Sequence, residues 1–216
     1  MTTTPTGVVR KVAAMPRVVA GLLIALLAGT ATAQSPFAGS DGTLAFVRAA
    51  ESYAFMHRRL ERQLPPLEVN ANPETIRRAI DAMAAAIRAA RTDARQGDLF
   101  NLAAQATIRT RIARALQTHG LTADDVLDAE RAEAADGPPA ALRVNGEFPW
   151  RSATAMFPAI LEALPPLPPE LQYRIIGRDL FLIDVHASLI VDILPRALAT
   201  TETAGGHLAV GERGAL

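Results

Sequence analysis

No cysteine occurs anywhere in the 216 residues. Disulfides, thiol chemistry, thiolate metal centres and lipid attachment at an N-terminal cysteine are excluded with it. Lysine is almost missing as well, since Lys11 is the only one among 22 basic residues. That bias fits an alanine- and arginine-favouring composition rather than a recognition task. Aromatic residues make up only 5% of the chain, and Phe100 alone falls within its arginine-rich stretch, so the row of stacking platforms that holds single-stranded nucleic acid is lacking. The familiar chemical signatures are also absent: no G-x-S-x-G, H-E-x-x-H, phosphate-binding loop, G-x-G-x-x-G or Asp-rich calcium loop. Ser152 and Ser188 stand in no nucleophile context. No dedicated cofactor is expected.

Long apolar runs free of charge are confined to one place, "VVAGLLIALLAG" at residues 18–29. Arg10, Lys11 and Arg17 precede it and Ala31-Thr32-Ala33 follows, the succession of a signal peptide (residues 1–33) cleaved before Gln34. The run is too short for a membrane span. A start at Met15 instead of Met1 would leave the same signal intact. The expected location is periplasmic or secreted, with no transmembrane segment in the mature chain, and the core alone must stabilise it.

After residue 33 there remain 19 arginines against 22 acidic residues, a net charge of −3. Such a balance gives no general attraction to nucleic acid. The charges are segregated nonetheless: residues 77–114 hold eight arginines and three aspartates, residues 120–147 seven acids and two arginines. Solvated helix faces of opposite sign account for this without a polyanion ligand.

Helical periodicity dominates residues 43–135. Phe46, Ala50, Tyr53, His57, Leu60 and Leu64 form one seam of a first helix that Pro65-Pro66 stops. Asn72 and Pro73 open a second helix with Ile76, Ile80, Met83 and Ile87 on its apolar face. A third covers residues 99–119, carries Ile108, Ile112, Ala115 and His119 on its seam, and ends at Gly120. Thr122 and Asp125 form a capping box for a short acidic fourth, residues 123–135.

The texture then changes. Asn145-Gly146 signals a hairpin turn, residues 157–164 a short helix, and "YRIIGRDLFLID" two strands around Gly177-Arg178. A last helix is expected from Val185. The fold class is therefore mainly α within α+β: one domain, residues 37–198, with a bundle of about four helices followed by a small β-hairpin and one or two packed helices. Residues 199–216, including His207, lack any period and read as a disordered tail.

Candidate functional residues gather in "GRDLFLIDVHASLIVDILPR". On a helix from Val185, Asp184 is the N-cap, and Asp192 faces water and pairs with Arg196 four residues on. His186 is left over on the apolar side, where it would be a neutral imidazole near Asp184, Arg178 and Asp179. Those four are the catalytic candidates. His57 and His119 lie on core seams and could hold a metal inside the bundle, but neither seam offers a facing carboxylate. The expected role is a non-catalytic binding or assembly-stabilising module of the cell envelope, its partner an envelope protein or a small ligand. The alternative is a small hydrolase or ligand-binding enzyme using His186 with Asp184 or Asp179.

Overall fold

The computed structural model describes residues 41–66, 72–133 and 141–198. The expected signal peptide, cleavage site and C-terminal tail lie outside these residues, as does the end of the fourth helix beyond Glu133. Among the described residues the elements are α1 (Asp41–Glu61), α2 (Pro73–Ala90), α3 (Leu102–Thr118), α4 (Ala123–Glu133) and α5 (Pro158–Ala163), then strands β1 (Leu171–Ile176), β2 (Asp179–Asp184) and β3 (Leu189–Leu194). This is an α+β chain, helical first and then a three-stranded antiparallel meander in the order β1-β2-β3. No helix among the described residues is long and apolar enough to cross a membrane.

The helix ends follow their capping chemistry. Asn72 accepts the Thr75 N–H at 2.9 Å with Pro73 in the first turn, and Thr122 and Asp125 bond each other reciprocally at the start of α4. Asn101 caps α3 by accepting the Ala104 N–H, so that helix begins at Leu102 rather than at residue 99. Gly120 closes it in the left-handed region at φ 65°. α1 packs on α2 and α3, and α3 on α5. Gly42 lets α1 start against α3, because a Cβ there would lie 2.4 Å from the Ala103 carbonyl oxygen.

The expected last helix is instead β3. The segment "LIVDIL" is buried at every position, because its sheet is covered on both faces. Leu180, Leu182, Leu189, Val191 and Leu194 join the helices in the main core, where Phe46 stacks on Phe100 at 5.1 Å between ring centres. Ile176, Phe181, Ile183, Ile190 and Ile193 pack on the other face under Phe148. Burial on both sides erases the polar alternation that marks a strand, and leaves a run that is apolar all round. A register shift between Leu182 and Ile183 leaves Val191 as the extra residue of a bulge.

The Asn145-Gly146 turn forms, with Asn145 at φ 61°, but it does not build a hairpin of its own. Its backbone pairs with the outer edge of β3: Asn145 N–H donates to the Ile190 carbonyl, Ile190 N–H to Gly146, and Phe148 N–H to Ser188. An otherwise open edge is thereby closed.

Asp192 is the second correction. Far from facing water, it has no exposed surface, and its carboxylate accepts the backbone N–H groups of Gly97, Leu99, Phe100 and Ile193 at 2.7–2.8 Å. It pins the α2–α3 connection to the sheet. The expected pairing with Arg196 needs a helix, and in its absence the Arg196 backbone N–H, at a left-handed φ of 49°, donates to Asp179.

Candidate functional site

β2 ends at Asp184, and residues 185–188 turn tightly into β3. Asp184 does cap this segment, but the segment is a turn and not a helix. Its Oδ1 accepts the backbone N–H groups of His186 at 3.0 Å and Ala187 at 2.9 Å, the same local chemistry as an N-cap. Val185 is tied in turn to the Glu170 carbonyl. The turn is therefore held from both sides.

The other oxygen of Asp184 faces α1. Tyr53 and His57, one helical turn apart on the buried seam, both reach it: the Tyr53 hydroxyl donates to Oδ2 at 2.8 Å, and His57 Nδ1 lies 2.6 Å from the same atom. All of Asp184, the His57 ring and nearly all of Tyr53 are shielded from solvent. With four donors around it, the carboxylate is fixed as an acceptor, and this orients His57 with its Nδ1 proton toward Asp184 and its Nε2 outward. There Nε2 meets His186 Nδ1 at 3.2 Å, the two rings lying edge to face.

The outer end of this chain of groups is wet. His186 Nδ1 is 3.5 Å from Glu61 Oε1, and the two side chains are 49% and 54% exposed. Glu61 stands one turn beyond His57 on α1, so Tyr53, His57 and Glu61 form a single stripe at four-residue spacing. Beneath it, Arg58 Nη1 donates to Glu170 Oε1 at 2.9 Å, while the second carboxylate oxygen of Glu170 is buried without a hydrogen-bond partner.

These surroundings set the charge of the site. Burial alone would lower the pKa of His57, but the hydrogen bond and charge of Asp184, helped by Glu61 and Glu170, outweigh it and leave the imidazole raised above its ordinary value. The Tyr53 hydroxyl is pushed up, chiefly by burial and then by Asp184, so it stays a donor. Three carboxylates thus favour positive charge around His57.

The structure unites some of the sequence candidates and separates others. Asp184 and His186 come together with His57. His186 is corrected from a buried residue to a half-exposed one, because the turn lifts it off the sheet. Asp179 and Arg178 sit at the opposite end of β2, about 16 Å away at the usual strand rise. There Arg178 binds the Leu198 carbonyl and Asp124, and Asp179 accepts from Arg196, so neither belongs to the His186 group. His119 is the exposed C-cap residue of α3, outside the cluster. Glu61 and Glu170 were not among the candidates. The one signal for Glu61 was its place four residues after His57.

Two cavities lie elsewhere. One of about 390 Å³ runs between α5 and β1, lined by Leu161, Leu164, Pro165, Leu171 and Tyr173. Another of about 320 Å³ is bordered by Ile176, Arg178, Asp179, Phe181 and Pro195. Compared with protein-family models, curated proteins and solved structures, the chain matches none.

Proposed function

We propose that the chain is a non-catalytic binding protein of the cell envelope, exported by its N-terminal signal, and that its ligand is held where the β2–β3 turn meets α1. The observation that carries this reading is the buried Tyr53–Asp184–His57 network ending at two exposed, ligand-capable side chains, His186 and Glu61. Buried polar groups cost stability unless fully bonded, and an apolar pair of the same volume would hold α1 to β2 without that risk. A buried network that fixes one histidine tautomer and ends at two half-exposed side chains is accounted for by binding.

A hydrolase using His186 with Asp184 is the second reading, favoured by the Asp184–His57 bond, which has the form of a general-base dyad. Against it, the hydroxyl of Ser188 accepts from the Trp150 indole and that of Ser52 donates within its own helix. Asp179, the other suggested partner, is at the far end of the strand.

A thermal-shift panel tests the binding reading. Small carboxylates, phosphate, and divalent metal ions would be tried on the wild type and on His186→Ala. At least one class should raise the wild-type melting temperature and leave the variant unmoved. A panel in which no shift depends on His186 contradicts it.

A further inference from the structure

The ligand class follows from the donor set. Resting on the binding reading above, we infer that the buried His57 Nε2 and the half-exposed His186 Nδ1 and Glu61 Oε1 form a site for one divalent transition-metal ion of the zinc class, with Asp184 as the carboxylate that orients His57.

Three independent features point there. The first is spacing: the two imidazole nitrogens are 3.2 Å apart, and all three donor atoms lie within 4.8 Å of one another. Two nitrogens bound to one tetrahedral ion at about 2.0–2.1 Å each stand roughly 3.3 Å apart, so the pair already has a chelate's bite. Only Glu61 has to close in, and it is an exposed side chain at the last residue of α1.

The second is the orientation of His57. A metal-bound histidine characteristically gives its other ring N–H to a carboxylate, which fixes the tautomer and raises the basicity of the ligating nitrogen. Asp184 takes Nδ1 of His57 at 2.6 Å, and is itself saturated by Tyr53 and two backbone N–H groups. Such a carboxylate cannot turn away. His186, by contrast, presents its Nδ1 from a turn on a half-exposed side chain.

The third is charge. Asp184 lies 2.6 Å from the His57 ring and Glu61 3.5 Å from the His186 ring, and one oxygen of the nearby Glu170 is buried without a partner. The field attracts a cation. Arg58 is already engaged by Glu170, and Arg91 lies over the Tyr53 ring at 5.1 Å, at the end of the network away from Glu61.

The donors also discriminate among metals. Two imidazoles and one carboxylate suit zinc, copper, nickel or cobalt, whereas calcium and magnesium require a set dominated by oxygen. Three protein ligands, two of them from half-exposed side chains, leave at least one coordination position for water or a ligand from solution.

The untagged protein, titrated with Zn²⁺ against a chromophoric chelator and with Co²⁺ by its visible absorption, tests the inference. One ion per chain is expected. His186→Ala and Glu61→Gln change exposed side chains and should weaken binding at least tenfold, and Asp184→Asn should weaken it ten- to a hundredfold by releasing His57. His119→Ala should leave it unchanged. Should Asp184→Asn unfold, the two exposed variants decide alone. Binding that survives both His186→Ala and Glu61→Gln overturns the assignment, as does no binding at all. A His186-dependent melting shift from a metal-free compound, with no metal uptake, overturns this inference and leaves the binding reading standing.

Discussion

Replacing Asp192 by asparagine should damage the fold more than so small a change implies. In the wild type, Oδ1 accepts from the Gly97 and Ile193 N–H groups and Oδ2 from Leu99 and Phe100, every distance between 2.7 and 2.8 Å. An asparagine oxygen can serve one of these pairs. Its amide nitrogen is itself a donor and would face the other, leaving two buried backbone N–H groups unbonded at about 1–3 kcal/mol each, or roughly 2–6 kcal/mol in all. Burial of the charge already raises the pKa of Asp192 despite those four N–H groups, so removing the charge returns part of this. The net loss expected is about 2–4 kcal/mol, a large share of a stability of about 5–15 kcal/mol. For a domain of this size it lowers the melting temperature by roughly 4–16 °C. Urea unfolding followed by circular dichroism should show an earlier midpoint with an unchanged slope. A loss below about 1 kcal/mol would mean that the α2–α3 connection does not depend on this carboxylate, and would refute the burial argument for β3.

Other expectations concern single residues and the chain's processing. His186→Ala should shift stability by no more than about 0.5 kcal/mol, since a half-exposed ring on a turn buries little, and a large loss in a thermal melt would show that it packs. Glu130 receives the Gly177 N–H at 2.6 Å, yet burial outweighs that bond and holds its pKa above the ordinary value. The folded state therefore favours the protonated form. Its contribution is full below the ordinary carboxylate range and is lost as the pH rises through the elevated folded value. Glu130→Gln should remove that component, so wild type minus variant stability should fall between pH 4 and neutrality; a flat or rising difference contradicts the shift. Mass spectrometry of the protein from its own host should find an N-terminus at or near Gln34, and an intact Met1 or Met15 would refute export with cleavage.

Legibility in the sequence followed burial. α1 to α4 each keep one face in water, so their apolar seams stand out against polar neighbours, and Asn72, Thr122 with Asp125, and Gly120 mark ends that the backbone must satisfy. β1 and β2 could be read because Gly177 interrupts them. β3 could not: with both faces covered, its Asp192 reads as a polar interruption at helical spacing, and only the four N–H groups brought by residues 97–100 and 193 explain why a carboxylate lies in a central run. Asp184 and His186 were recognisable as unusual because charge and imidazole interrupt an apolar stretch. Their union with His57 was not, since those contacts span 127 and 129 residues of sequence. Local patterns carry caps and seams, whereas a site assembled from a helix and a distant turn is encoded only in how the two pack.

The most direct measurement is a histidine side-chain ¹H–¹⁵N correlation spectrum recorded during Zn²⁺ addition. The account predicts that His57 Nε2 and His186 Nδ1 shift together at one equivalent while the Nδ1 proton of His57 persists in its bond to Asp184. Shifts confined to His119 or His207, or a His57 resonance that stays still while zinc binds, would contradict it.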